Sequence, residues 1–274
     1  MAVTMADISK LRSLTGAGMM DCKNALTESE GDFDKAIETI RKRGQAIAAK
    51  RSDREASEGC VLGATKGEFA AVLALKCETD FVAKNADFIA LTKDILNLAL
   101  ETQAADINEL KSTMLNGVTV EQAVTDRSGI TGEKMELDFY EFVNGASTVT
   151  YIHPGNKLAT IVAFNQADVD AQVAKDVAMQ VAAMNPIAVT KENIPADVIE
   201  KEKDIAKEKA RQSGKPENIL DRIAESAIVK FYQDSVLLAQ EFIKDSKMTV
   251  AQYLEKASKG LTVTAFKRVT LNKE

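Results

Sequence analysis

The chain has 274 residues and a net charge of −6, long enough for about two domains and without the basic surplus that nucleic acid or anionic membrane would select. Three cysteines without CxxC spacing and one histidine argue against a disulfide framework or an ordinary zinc site. Reduced, structural thiols are therefore expected, with no cofactor and no metal, in a cytoplasmic chain that shows neither a signal peptide nor an apolar stretch of about 20 residues.

Residues 1–44 punctuate themselves clearly. Thr4 caps a helix with Asp7 at its third position, and Ile8, Leu11 and Leu14 lie on one helical face. Gly16-Ala17-Gly18 breaks that helix. A second starts at Met19 and turns Cys22, Ala25 and Leu26 inward until Gly31. Asp32 caps a third, with Phe33, Ala36, Ile37 and Ile40 inward, and Gly44 is expected to stop it. Such a three-helix bundle has a thin core, so its outer apolar residues are candidates for contact with another molecule. Residues 45–57 read as a partly helical linker, basic through Lys50, Arg51 and Arg54 but lacking the aromatics that stack bases.

From Gly59 the period changes. Cys60–Thr65 and Glu68–Cys77 read as strands around a Lys66-Gly67 turn, and a helix follows from about Asn85 to Glu101. Residues 104–136 are polar, with weak helical pattern over 107–115 and 120–128. The arrangement then recurs: Ser147–Ile152, a His153-Pro154-Gly155 turn, Lys157–Phe164, and a helix from Val169 to Met184. Setting Gly67 against Gly155 aligns hairpin with hairpin and helix with helix.

A charged segment interrupts the second half. After Pro195 a helix carries only a narrow seam of Val198, Ile199, Ile205 and Ala206. Ser213-Gly214-Lys215-Pro216 stops it, and a second helix presents Ile219, Ile223, Ala227 and Phe231. Two such helices fold back as an antiparallel hairpin that buries little by itself, which leaves room for weak homodimerisation. A helix over 250–258 and a strand over 262–270 close the chain. The expected class is α+β, divided into 1–44, a linker at 45–57, a core half at 58–145, a second half at 146–186 plus 232–274, and the hairpin at 187–231.

Two motifs carry a resemblance to a known family. Leu14-Thr15-Gly16-Ala17-Gly18-Met19-Met20-Asp21-Cys22-Lys23-Asn24-Ala25-Leu26 and Cys77-Glu78-Thr79-Asp80-Phe81-Val82-Ala83-Lys84-Asn85 resemble the two signatures of bacterial elongation factor Ts. Ala178–Pro186 and Ser213–Ile219 add weaker matches in the same order, so the resemblance covers nearly the whole chain.

The resemblance implies a ubiquitin-associated-like module at 1–44, a core of two repeated strand–turn–strand–helix subdomains and a coiled-coil protrusion at 187–231. It also implies a non-enzymatic guanine-nucleotide exchange factor that binds the GDP form of elongation factor Tu. In that family the Thr79–Val82 loop reaches toward the partner's magnesium and nucleotide site, so Thr79, Asp80, Phe81 and Val82 are the expected wedge. Met19, Met20, Lys23 and His153 are the expected further contacts. The sequence departs from the family at Gln240-Glu241-Phe242, where a Gln-Pro-Phe is frequent, and at Gln180, where some members have histidine. No further helical module is expected beyond Glu274.

The residues alone admit plainer readings at these positions. Phe81 fits a core aromatic at the entrance to the 85–101 helix, Asp80 fits a helix cap, and one of Met19 and Met20 is expected in the core. His153 fits an exposed turn residue, without the Ser or Cys neighbour and orienting acid that catalysis would need. Gly16-Ala17-Gly18 lacks the preceding strand and Gly-Lys-Ser/Thr ending of a phosphate loop.

Overall fold

The structure, a computed structural model, describes residues 3–272 and mixes helix and sheet in an α+β chain. In chain order it runs α1 (Met5–Thr15), α2 (Met19–Glu28), α3 (Phe33–Lys50), β1 (Glu58–Lys66), β2 (Phe69–Cys77), α4 (Asp80–Ala83), α5 (Ala86–Thr102), α6 (Ile107–Ser112), β3 (Met114–Leu115), β4 (Val118–Thr119) and α7 (Val120–Thr131). It continues with β5 (Glu136–Asn144), β6 (Ser147–Ile152), β7 (Leu158–Phe164), α8 (Ala171–Met184), α9 (Ala196–Gln212), α10 (Leu220–Ser235), β8 (Glu241–Phe242), β9 (Asp245–Thr249), α11 (Val250–Ala257) and β10 (Val263–Thr270). The strands form sheets in the orders β1-β2-β5 and β10-β7-β6, with two small pairs, β3-β4 and β8-β9.

The chain forms two compact units. The first takes the chain up to Leu62, Leu73–Glu141 and the end from Leu271; the second takes Gly63–Val72 and Phe142–Thr270.

In the first unit, α1–α3 close around Ile8, Leu11, Cys22, Ala25, Leu26 and Ala36. Thr4 caps α1 through a reciprocal pair with Asp7, its hydroxyl taking the Asp7 N–H and the Asp7 carboxylate taking the Thr4 N–H at 3.0 Å. Leu14 was expected on the inner face, yet it is exposed, because the bundle is filled by the first two turns of α1 and closed by Ala17. Gly44 does not stop α3, which continues six residues to Lys50 and so absorbs part of the expected linker. The reason is tertiary: α3 packs lengthwise on α7, and Gly44 is buried where the two helices cross. Further along, α5 buries Phe88, Thr92, Ile95, Leu96, Ala99 and Leu100, and the part of β2 in this unit is buried from Leu73 to Leu75.

The sequence pattern did not suggest β5. Its buried residues Leu137, Tyr140 and Val143 recur every third position instead of every second, so no alternation betrays the strand.

In the second unit, β7 is buried throughout and lies between β6 and β10, both antiparallel to it. Val162 and Phe164 of the sheet share one core with Val177 and Val181 of α8 and Leu254 of α11, and Leu237, after α10, joins it. Helices α9 and α10 pack on each other, and α10 reaches Ser235, beyond the expected end near 231. Ile205, expected in the seam, is exposed; Ala210 on α9 and Leu220, Ala224 and Ile228 on α10 are buried instead. The hairpin's root is pinned, since Ile187 N–H donates to Ser235 O at 2.9 Å and Leu237 N–H to Ala188 O at 2.9 Å. The pair β8-β9 was also unforeseen, being too short and polar to register as strand.

Candidate functional site

The loop between β2 and α5 lies wholly in the first unit. After Cys77 the chain turns into the single-turn helix α4, and local chemistry explains why. Thr79 adopts an extended conformation (φ −121°, ψ 154°) and its hydroxyl accepts the Val82 N–H, while Asp80 puts a carboxylate in the first turn. Asp80 Oδ2 also lies 2.7 Å from Lys84 Nζ, one turn on. A second cap follows at once: Asn85 Oδ1 accepts the Asp87 N–H at 2.9 Å and starts α5.

With caps at both Thr79 and Asn85, Phe81 and Phe88 fall on separate helices. Phe88 is fully buried, whereas Phe81 is 83% exposed, so Phe81 is not the core aromatic its position also allowed. The cap is Thr79, and Asp80 sits one position inside the helix. Val82 is half-buried.

Two carboxylates hold the base of this loop by exchanging bonds. Glu133 Oε2 accepts the N–H groups of Glu78 (3.2 Å) and Thr79 (3.0 Å), and its Oε1 accepts the Thr79 hydroxyl at 2.6 Å. In return, Glu78 Oε1 accepts the Lys134 N–H at 2.7 Å. Arg51, at the C-terminal end of α3, donates from Nη1 to both Glu78 oxygens at 3.1 Å. The Lys134 N–H, with Arg51 and Arg54, outweighs partial burial and holds the Glu78 carboxyl below its ordinary value. Beside it, the Cys77 thiol donates to Thr79 O at 3.2 Å. Burial first, then the charges of Glu133 and Glu58, push this thiol up to about 12, so it stays protonated.

Sequence reasoning missed Glu133 and the function of Glu78 and Arg51. Glu133 lies 54 residues from Thr79 along the chain, and the one local signal is Gly132, the left-handed C-cap of α7 that turns the backbone toward it.

The other expected contacts sit on separate elements. Met19 and Met20 are both exposed, at 42% and 64%, which corrects the expectation that one of them is core. Cys22, Ala25 and Leu26 fill the inner face of α2, and neither methionine shares that face. Lys23 is exposed on the same helix. His153 belongs to the second unit, exposed at the end of β6, with its Nδ1 3.0 Å from the Tyr151 hydroxyl. Gln180 is fully buried: it donates to Gln240 Oε1 and Glu241 O, both at 3.1 Å, and accepts the Ile243 N–H at 2.9 Å. Its amide therefore serves these three internal bonds and faces no solvent. Among the described residues, no group of three or more His, Cys, Asp or Glu could hold a metal ion, and no helix is long and apolar enough to cross a membrane.

Comparison with known proteins gives this arrangement a context. The sequence profile of the family described as Elongation factor TS matches residues 78–273, a span that begins at the loop. Elongation factor Ts of Porphyromonas gingivalis strain W83 is 61% identical over 273 residues, covering 99% of both chains. Elongation factor Ts of Azobacteroides pseudotrichonymphae genomovar. CFP2 is 54% identical, and that of Bacteroides thetaiotaomicron 49%, each with complete coverage of both chains. The chain belongs to the elongation factor Ts family, whose members serve translation elongation in protein biosynthesis as nucleotide-exchange factors.

Proposed function

We propose that this protein binds elongation factor Tu in its GDP form and promotes GDP release, in the cytoplasm, by inserting Thr79–Val82 near the partner's magnesium and nucleotide site. The observation that carries the reading is the exposure of Phe81 on a one-turn helix whose base is fixed by Glu133 and Glu78. An exposed aromatic on a mobile loop would lose conformational freedom on binding; on a fixed base most of that entropy is already lost. Asp80 adds a carboxylate beside the wedge, in a surface ion pair with Lys84 of the kind that contributes little to stability. In this reading the chain acts by binding its partner and not by catalysis on a substrate of its own.

Magnitudes decide how much the loop does alone. A GTPase that holds GDP at nanomolar affinity has about 12 kcal/mol of binding to undo. Accelerating release about 10⁴-fold takes roughly 5.5 kcal/mol of differential stabilisation. Burying one Phe yields only about 1.5–3 kcal/mol. The wedge therefore acts within a wider interface. We assign the first helical module, 1–44, to it as a ubiquitin-associated-like docking head, through exposed Met19, Met20 and Lys23. The two strand–turn–strand–helix runs form the halves of the core, with His153 as a contact from the second half, and the α9–α10 hairpin is the coiled-coil protrusion. By linkage, nucleotide weakens factor binding by the same factor that the factor weakens nucleotide binding.

The test is direct. Elongation factor Tu loaded with fluorescent GDP is mixed with this protein at catalytic and stoichiometric amounts, and release is followed with unlabelled GDP in excess. Acceleration at catalytic amounts is expected; none at any concentration contradicts the reading.

A further inference from the structure

We infer that Glu133 is a positioning residue for nucleotide exchange, the group that holds the Thr79–Val82 wedge in its working conformation. The inference rests on the exchange reading above and adds a residue outside the loop itself.

Three donors converge on this one carboxylate, and all belong to the two residues from which the wedge springs: the Glu78 N–H, the Thr79 N–H and the Thr79 hydroxyl. The Thr79 hydroxyl is also the cap of α4, so Glu133 fixes the orientation of the atom that starts the helix bearing Phe81. Glu133 is itself tied down. Its carbonyl accepts the Ser128 hydroxyl at 2.5 Å, and its N–H donates to Thr131 Oγ1 at 3.3 Å, both from the last turn of α7. Because Gly132 ends α7 in a left-handed conformation (φ +72°), the chain reverses there and delivers Glu133 to β2. The return bond from Lys134 N–H to Glu78, and Arg51 on Glu78, close the clamp on its other side.

Glu133 makes no packing contribution that its isostere would lose, and a carboxylate is the only group of this size that accepts from all three donors at once. Its substitution should lower the fraction of loops in the working conformation, and the maximal exchange rate should fall with that fraction. Affinity for the partner, spread over a wider interface, should change little.

The experiment compares wild type, Glu133→Gln and Glu133→Ala in the fluorescent-GDP release assay with elongation factor Tu, titrating each factor to saturation. Amide hydrogen exchange at Glu78 and Thr79 is measured on the same proteins. Glu133→Gln keeps an acceptor for the backbone donors and loses one for the hydroxyl, so it should lie between the other two. We expect the maximal rate to fall about 10-fold in Glu133→Ala, with half-saturation within about 2-fold of wild type and local protection lost at 78 and 79. Equal rates for all three proteins, or a shift in half-saturation alone, overturns the inference. A Glu133→Gln variant that loses melting temperature and rate together, without local loss of protection, also overturns it in favour of a merely structural contact. An inert wild type is a different failure: it sinks the exchange reading, and the inference falls with it.

Discussion

A Cβ built on Gly129 would lie 2.1 Å from the Cα of Gly44, so helices α7 and α3 touch backbone to backbone where they cross. The relation is asymmetric: a Cβ on Gly44 would meet the Gly129 Cα at 3.3 Å, a contact that a small shift relieves. Gly129→Ala should therefore destabilise the first unit by about 1–3 kcal/mol or more through overpacking. Gly44→Ala should be nearly neutral, since its modest clash opposes a gain of about 1 kcal/mol in helix propensity. Urea unfolding of the two variants checks both the magnitude and the asymmetry.

Acid should loosen the base of the Thr79–Val82 loop. The Glu78 carboxyl sits below its ordinary value of 4.5, with the Lys134 N–H as the largest cause, so the folded state binds the proton less readily than the unfolded chain. Stability from this group is fully present above the unfolded value and is lost as pH falls through the lower folded value. Glu78→Gln should lower the urea midpoint at neutral pH, and its gap to wild type should narrow as pH falls below the ordinary value of 4.5. A gap that stays constant through that fall would remove Glu78 from the acid response.

The hairpin should be separable from exchange. Its two ends meet at the isolated bridge between Ala188 and Val236, and a root cluster of Ala188, Ile194, Val198, Phe231 and Val236 closes beneath it. Replacing the distal part, about 203–225, with a short Gly-Ser linker keeps that cluster. Such a chain is expected to fold, retain exchange activity and lose any self-association. Sedimentation velocity on both chains decides the last point, where an unchanged profile counts against dimerisation through the hairpin.

How much of this could be read from sequence varied with the range of the cause. The starts of α1 and α3 were legible because Thr4 and Asp32 announce them locally. The passage of α3 through Gly44 was hidden, because its reason is a glycine 85 positions away on α7. Strand β5 was hidden by burial at every third residue. The loop at Thr79–Val82 was legible between a strand and a helix, yet residues alone could not choose between a core and an exposed Phe81; the double capping by Thr79 and Asn85 makes that choice. Glu133, which holds the loop, gave no signal beyond Gly132.

The central claim is that an exposed, preset Phe81 drives exchange without carrying the fold. The most direct measurement is the rate of fluorescent GDP release from elongation factor Tu at saturating wild type and Phe81→Ala, with melting temperatures of both. A side chain that is 83% exposed should leave the melting temperature within about 1–2 °C, since surface changes stay near ±0.5 kcal/mol. Loss of about 1.5–3 kcal/mol of transition-state stabilisation should slow release roughly 10- to 100-fold. An unchanged release rate, or a variant that unfolds, would contradict the account.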